Sequence, residues 1–402
     1  MSDYQPASRV TRIRESASVA AAARVRELKA EGRSIIDLTV GEPDFDTPHH
    51  VKLAAIAAIN AGETKYTSVT GTPALRASIL RHVESQTGIA YGQEHITIAG
   101  GAKQVIFTAF MASLNEGDEV IVPAPYWVSY PDMVLANDGT PVIVPCGEDV
   151  GFKLTPEALA SAITPSTKWL ILNTPSNPTG VVYSRAELEA LAAVLAEHPH
   201  VYVLTDEIYD EIYFGDGRMT NLVSAAPALR DRILMVNGVS KAYAMTGWRL
   251  GYALGPAALV ASINKLQSQI SSCPSSVSQA AAAAALDGDQ RFVAECVDAY
   301  RTRRDAAVAG LNAVDGLSCL SPDGAFYAYV NCSGAIGKTT PDGSTIETDV
   351  DFTAYLLDAA SVAVIPGSAY GLGPYFRISF ATSLEIINAG VEAIDKAVRA
   401  LN

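Results

Sequence analysis

The sequence predicts an α/β protein: a mostly parallel sheet covered by helices on both faces, joined to a second, smaller α+β unit. Two observations point there. Short continuous apolar runs alternate with helix-like stretches from residue 50 to residue 255, as expected for strands buried on both faces. Beyond residue 280 the alternation stops, and a mostly helical stretch leads into strands separated by a polar loop. With 402 residues, 49% of them hydrophobic, the chain can bury one large core or two of ordinary size.

The elements follow in order. Residues 49–60 carry a helix pattern. A strand over 95–99 precedes a helix over 104–114, and a strand over 119–122 precedes a helix over 127–136. Residues 141–144 form the next strand, and Thr155-Pro156 opens a helix with proline at its first position. A strand over 168–172 is followed by Ser184-Arg185-Ala186-Glu187, a capping box that starts another helix. Strands are expected over 201–204, 232–236 and 248–254. The second unit has helix over 280–312, a strand over 325–330 and a loop rich in Gly, Thr and Ser over 333–348. A helix, strands near 363–365 and 377–380 and a terminal helix complete it. Residues 1–48 do not fit the alternation and are expected to join this smaller unit. The domains are therefore 49–300 (large) and 1–48 with 301–402 (small).

Composition narrows the function. The net charge of −14 argues against a nucleic-acid surface and for a soluble cytoplasmic protein. No signal segment or membrane-length apolar run is present. Five cysteines, never in a CxxC pair, read as free thiols in a reducing compartment. No G-x-G-x-x-G follows a strand, no P-loop motif occurs and the six histidines show no metal spacing. No metal is expected.

The chemistry-bearing residues fall where strands end. Lys241 sits in Gly238-Val239-Ser240-Lys241 between two apolar strands. A lysine that is partly desolvated has a lowered pKa and becomes a usable amine nucleophile. Gly100-Gly101-Ala102-Lys103 lies between a strand and a helix, a place where backbone N–H groups can meet a phosphate. A tight turn alone accounts for the same pattern. Lys103 opposes the helix dipole there unless an anion is near. Asp206 ends a strand with Tyr209 three residues on. Its carboxylate can pair with a protonated pyridine nitrogen or cap the next helix. Asn177 occupies a turn-rich loop after a strand. Arg249 and Arg377 offer forks for phosphate or carboxylate, and Trp127 offers a face for a flat ring.

Taken together these motifs resemble fold-type I pyridoxal-phosphate aminotransferases of class I, within the bacterial aspartate and prephenate aminotransferase subgroup. The likeness runs nearly end to end. It is carried by Gly41-Glu42-Pro43-Asp44-Phe45-Asp46-Thr47-Pro48, Tyr126-Trp127-Val128-Ser129-Tyr130-Pro131, Asn177-Pro178-Thr179-Gly180, Asp206-Glu207-Ile208-Tyr209 and the stretch from Ser240 to Arg249. The resemblance implies a seven-stranded sheet, pyridoxal 5′-phosphate as cofactor, ping-pong kinetics and a homodimer with shared active sites.

It also implies roles. Lys241 holds the cofactor as an internal aldimine and shuttles a proton. Asp206 pairs with the pyridinium, Tyr209 and Asn177 bond the ring hydroxyl oxygen, and Trp127 covers the ring. Ala102, Lys103 and Arg249 lie around the phosphate with Gly101 in the same turn, Ser240 also binds the cofactor, and Tyr66 reaches the phosphate of the neighbouring subunit's cofactor. Arg377, Asn177, Trp127 and the Gly41 backbone bind substrate. Lys103, with Ser16 and Ser18, would meet a distal carboxylate. The chain reads Arg14-Glu15-Ser16-Ala17-Ser18 where the subgroup commonly has Lys-Pro-Ser-x-Thr. The expected reaction is L-aspartate with 2-oxoglutarate. The alternative is prephenate or aromatic amino-acid transamination.

Overall fold

The computed structural model describes residues 4–402, the side chain of Ser18 excepted. Residues 1–3 of the expected smaller unit lie outside it. Seven strands form one sheet: β1 Ile96–Ala99, β2 Glu119–Ala124, β3 Thr140–Pro145, β4 Thr167–Asn173, β5 Tyr202–Asp206, β6 Ile233–Gly238 and β7 Gly251–Leu254. Their order is β1-β7-β6-β5-β4-β2-β3. The five from β6 to β3 run parallel, and β7 lies antiparallel between β6 and β1.

Alternation along each strand explains why the sheet needs covering on both faces. In β4, Trp169 and Ile171 enter one apolar cluster while Leu170 and Leu172 enter another. In β6, Leu234 and Val236 face one cluster and Ile233 and Met235 the other. Burying each such side chain is worth about 1.5–3 kcal/mol relative to exposure. A third cluster gathers Phe326, Phe352, Phe376 and Phe380 around a four-stranded antiparallel sheet, and takes in Ile208 and Tyr209 from beyond β5. That small sheet orders Ile365–Pro366, Tyr375–Ser379, Tyr327–Asn331 and Ser318–Cys319. The N-terminal segment joins it closely: Ile36–Asp37 pairs in parallel with Val362–Ala363, and the Ser379 N–H donates to the Leu38 carbonyl.

Local chemistry sets the helix starts. Both halves of the Ser184–Glu187 capping box form, and Thr155 caps the helix that opens with Pro156. The helix expected over 127–136 begins only at Tyr130. Pro131 has no N–H, so it is tolerated only in a first turn. The strand expected over 248–254 begins at Gly251, because Arg249 adopts a left-handed backbone with φ of 51°. The strand-like run at 363–365 is split between two short strands in different sheets. Helices Ala17–Ala30, Pro73–Thr87 and Ala257–Ile270 add to the expected pattern.

The strand arrangement decides where a site can be. The carboxyl ends of β1, β4, β5 and β6 lie on one edge. Because β7 is antiparallel, its start rather than its end lies on that edge too: Gly251 pairs with Ala99 on one side and Gly238 on the other. Residues as distant in sequence as Gly101, Asn177, Asp206, Lys241 and Arg249 are thereby gathered together.

Candidate active site

At that edge lies a cavity of about 560 Å³, within the range of small-molecule and cofactor sites. Every expected site residue except Gly101, Ser18 and Tyr66 lines it. Gly101 lies just beneath. Ser18 falls in the helix Ala17–Ala30, and its side chain is outside the described residues. Tyr66 is 88% exposed and away from this lining.

Lys241 follows β6 and points its Nζ at the Gly41 carbonyl, 2.6 Å away. Burial pulls its pKa down to about 8, with Arg377 and Arg249 pushing the same way and Glu42 and Asp206 opposing. Near neutral pH an appreciable fraction of this amine is therefore uncharged and nucleophilic.

Asp206 ends β5, only 5% exposed. Its Oδ2 accepts the Tyr130 hydroxyl at 2.7 Å and its Oδ1 the Ile208 N–H at 3.3 Å. Burial raises its pKa, against the Tyr130 bond and the charge of Lys241. Among the described residues it forms no ion pair, its bonds being those to Tyr130 and Ile208, so a buried carboxylate is available for a ring N–H⁺. Tyr209, also buried, shares a hydrogen bond of 2.8 Å with the Tyr327 hydroxyl.

The phosphate-sized end is built by close backbone approach. Gly101 has φ of 106°, and a Cβ there would sit 2.5 Å from Arg249 Nη2. A Cβ on Gly251 would sit 2.2 Å from the Ala102 nitrogen. Only glycine at both positions lets β7, Arg249 and the start of the helix Ala102–Ser113 touch. No side chain caps this helix N-terminus, so its first N–H groups stay open to an anion. Arg249 Nη1 donates to the Thr246 carbonyl at 2.8 Å, and Ser240 lies beside it in the lining.

Arg377 is 2% exposed. Its Nη1 donates to Asn177 Oδ1 at 3.0 Å and its Nη2 to the Thr39 carbonyl at 2.6 Å, while its buried Nε has no partner. Tyr327 packs 4.3 Å from its guanidinium. Lys103 Nζ stands 4.7 Å over the Trp127 ring, and burial together with Arg249 lowers its pKa. Ser16 caps nothing with its side chain and faces the cavity near Val19, Ala22 and Arg26. Among the described residues, Lys103, Lys241, Arg249 and Arg377 make no salt bridge to a carboxylate. The cavity is thus cationic inside an acidic protein, a place for anionic groups.

These residues fit a flat pyridine carrying a phosphate. An open helix N-terminus and Arg249 take the phosphate, a buried carboxylate takes the ring nitrogen, and a depressed lysine is within the same space. Among the described residues no cluster of His, Cys, Asp or Glu could hold a metal.

The family model for class I and II aminotransferases matches residues 33–394. The chain belongs to that aminotransferase family. It is 52% identical to an aspartate aminotransferase of Rhizobium meliloti (strain 1021), over 98% of this chain and 96% of that one. It is 50% identical to an aspartate/prephenate aminotransferase of Cereibacter sphaeroides, over 94% of each. The crystal structure of the aspartate aminotransferase from Rhizobium meliloti superposes with a TM-score of 0.97 at 51% identity, covering 99% of this chain and 100% of that one. The Thermus thermophilus aspartate aminotransferase with maleate superposes with a TM-score of 0.92 at 38% identity, covering 98% and 100%. This aminotransferase therefore shares the fold-type I architecture expected from its sequence.

Tyr130, Tyr327 and Thr39 were not among the expected site residues. The two tyrosines carry the signal of core aromatics, and Thr39 contributes a backbone carbonyl, which no side-chain pattern reveals.

Proposed function

We propose that the chain is a pyridoxal 5′-phosphate-dependent aminotransferase that moves the amino group of L-aspartate to 2-oxoglutarate, giving oxaloacetate and L-glutamate. One observation carries this reading: the Lys241 amine and the buried Asp206 carboxylate share one cavity. Pyridoxal phosphate, when bound, supplies an electron sink for the charge that builds on the amino acid's Cα. Lys241 would hold the cofactor and, once displaced from it by the substrate's amine, would carry a proton from the substrate Cα to the cofactor's C4′. Asp206 keeps the ring nitrogen protonated. Tyr209 and Asn177 serve the ring hydroxyl oxygen, and Trp127 covers the ring. Ala102, Lys103 and Arg249 lie around the phosphate with Gly101 in the same turn, and Ser240 also binds the cofactor. Arg377 and Asn177 grip the α-carboxylate beside the Gly41 backbone.

Lys103, with Ser16 and Ser18, would select the distal carboxylate. Two relatives named for aspartate support that substrate, and so does maleate, a dicarboxylate, on the Thermus thermophilus enzyme. A second reading, prephenate or aromatic transamination, is favoured by the relatives named aspartate/prephenate. The apolar wall of Val19, Ala22 and Ile106 also favours it.

A homodimer is part of the proposal, with Tyr66 reaching the partner's cofactor phosphate. Exposed Leu53, Ile56, Phe107 and Met111 support it, since a monomer rarely leaves such apolar faces to water. The two-unit division at 49–300 and 1–48 with 301–402 remains part of the same proposal. Five unpaired thiols fit a reducing cytoplasm, and no described helix is long and apolar enough to cross a membrane.

The test is a panel of steady-state rates on purified chain. Aspartate, phenylalanine and tyrosine serve as donors, with 2-oxoglutarate or prephenate as acceptor. Parallel double-reciprocal lines and preference for aspartate are expected. Aspartate slower than an aromatic donor by more than ~100-fold would overturn the substrate assignment.

A further inference from the structure

Tyr130 is the first residue of the helix Tyr130–Ala136 and is 2% exposed. Two contacts define it. Its hydroxyl donates to Asp206 Oδ2 at 2.7 Å. Its ring meets the Trp127 ring edge-on, with centroids 5.3 Å apart and an interplanar angle of 81°. Pro131 makes this placement possible, because the helix must begin where the proline can be accommodated. Tyr130 therefore bridges the residue expected to cover a bound ring and the residue expected to hold its nitrogen.

Asp206 has few other supports. Oδ1 receives one backbone N–H at the longer distance of 3.3 Å. The titratable groups around it are Tyr130, Tyr209, Glu207 and Lys241. Of these, Tyr209 shares its hydroxyl's hydrogen bond with Tyr327 and Glu207 is a second buried carboxylate. Lys241 acts only through its charge. A buried carboxylate resists ionising unless donors compensate for lost water, and the Tyr130 hydroxyl is the strongest donor present. Burial and the Asp206 charge keep that hydroxyl protonated, its pKa well above its ordinary range, so it has a proton to donate to the carboxylate.

We propose that Tyr130 is a positioning residue: its hydroxyl fixes the orientation and charge of the Asp206 carboxylate, and its ring locks that carboxylate to Trp127 as one unit. The inference rests on the pyridoxal reading above. Removing the hydroxyl leaves Oδ2 buried without a partner. The ring nitrogen then holds its proton less firmly and withdraws less electron density from the nitrogen of Lys241, which becomes more basic.

The experiment uses the holoenzyme and Tyr130→Phe, which keeps the ring and its packing. The dissociation constant for pyridoxal 5′-phosphate is expected to rise by about tenfold or more, the effect of one hydrogen bond to a charged group. The pH midpoint of the bound cofactor's visible absorbance is expected to move up by roughly one unit. Tyr130→His keeps a donor and should recover part of both effects. It also serves if the phenylalanine variant does not fold. In an Asp206→Asn background, Tyr130→Phe should add nothing, because the partner is already lost. An unchanged midpoint and unchanged retention in both variants would overturn the role of Tyr130. So would losses that simply add to those of Asp206→Asn. Failure of the wild-type chain to take up the cofactor would instead overturn the pyridoxal reading itself.

Discussion

The two walls of the cavity are built differently. On the side of Asp206, Tyr209 and Tyr130, the side chains are buried and most of their polar atoms are committed to named partners. Asp206 ends β5, Tyr209 follows it by three residues and Tyr130 opens the helix Tyr130–Ala136, so moving any of them would disturb packed elements. On the side of Ser16, Arg26 and Lys103, the residues are half-buried or exposed, and among the described residues none pairs with a carboxylate. The first wall suits chemistry, which needs groups held within fractions of an ångström. The second suits selection, because substituting an exposed, unpaired residue costs little stability. Reaction type should therefore be robust and substrate range easily changed.

The comparison can be broken most severely at Lys241. Lys241→Ala is expected to cut transamination by several orders of magnitude and to abolish the visible absorbance of bound cofactor. Activity near wild type with either donor class would remove Lys241 from its role. Next comes Arg377→Lys, which keeps the charge but loses the fork. It should lower kcat/KM by about 100-fold for aspartate and aromatic donors alike. A loss confined to one class would move Arg377 from the chemistry wall to the selection wall.

Lys103→Ser sharpens the other side. It should cost dicarboxylic substrates about 10- to 100-fold in kcat/KM and aromatic substrates much less, as expected for one lost charge-assisted contact. An equal loss for both would point to the phosphate instead. The smallest effect is a pH dependence. The uncharged amine of Lys241 is the reactive form, and its pKa lies at about 8 rather than 10.5. Stopped-flow capture of pyridoxal phosphate by the cofactor-free chain should thus accelerate with rising pH and level off above about 8. A rate still climbing in proportion to hydroxide from about pH 8 to about pH 10 would mean an unperturbed lysine.

Much of this was legible in the chain. Buried-strand runs, the Ser184 capping box and the prolines at helix starts are local features, so they survive in one dimension. Lys241, Asp206, Asn177 and Arg249 could be picked out because each ends a strand or lies in a loop beside a strand end, where an α/β sheet puts its ligands; Arg377, expected to start a strand, lies in the middle of Tyr375–Ser379 in the smaller sheet. Three details escaped. The helix at Tyr130 starts later than its apolar pattern suggests, since Pro131 overrides the periodicity. The left-handed turn at Arg249 shortens β7, and no propensity marks an arginine for that conformation. Tyr130 and Tyr327 read as ordinary core aromatics until their hydroxyls meet Asp206 and Tyr209.

The sequence by itself determined the alternation of elements, the residues able to do amine, carboxylate and phosphate chemistry, and their order along the chain. Those follow from side-chain type and local periodicity. The tertiary structure alone decided that β7 runs antiparallel, which brings Arg249 to the edge where the other strands end. It alone decided that the Thr39 carbonyl and Asn177 hold Arg377, and that Tyr130 supports Asp206. Such contacts join residues tens to hundreds of positions apart. They depend on strand order and packing, which no short stretch of sequence encodes.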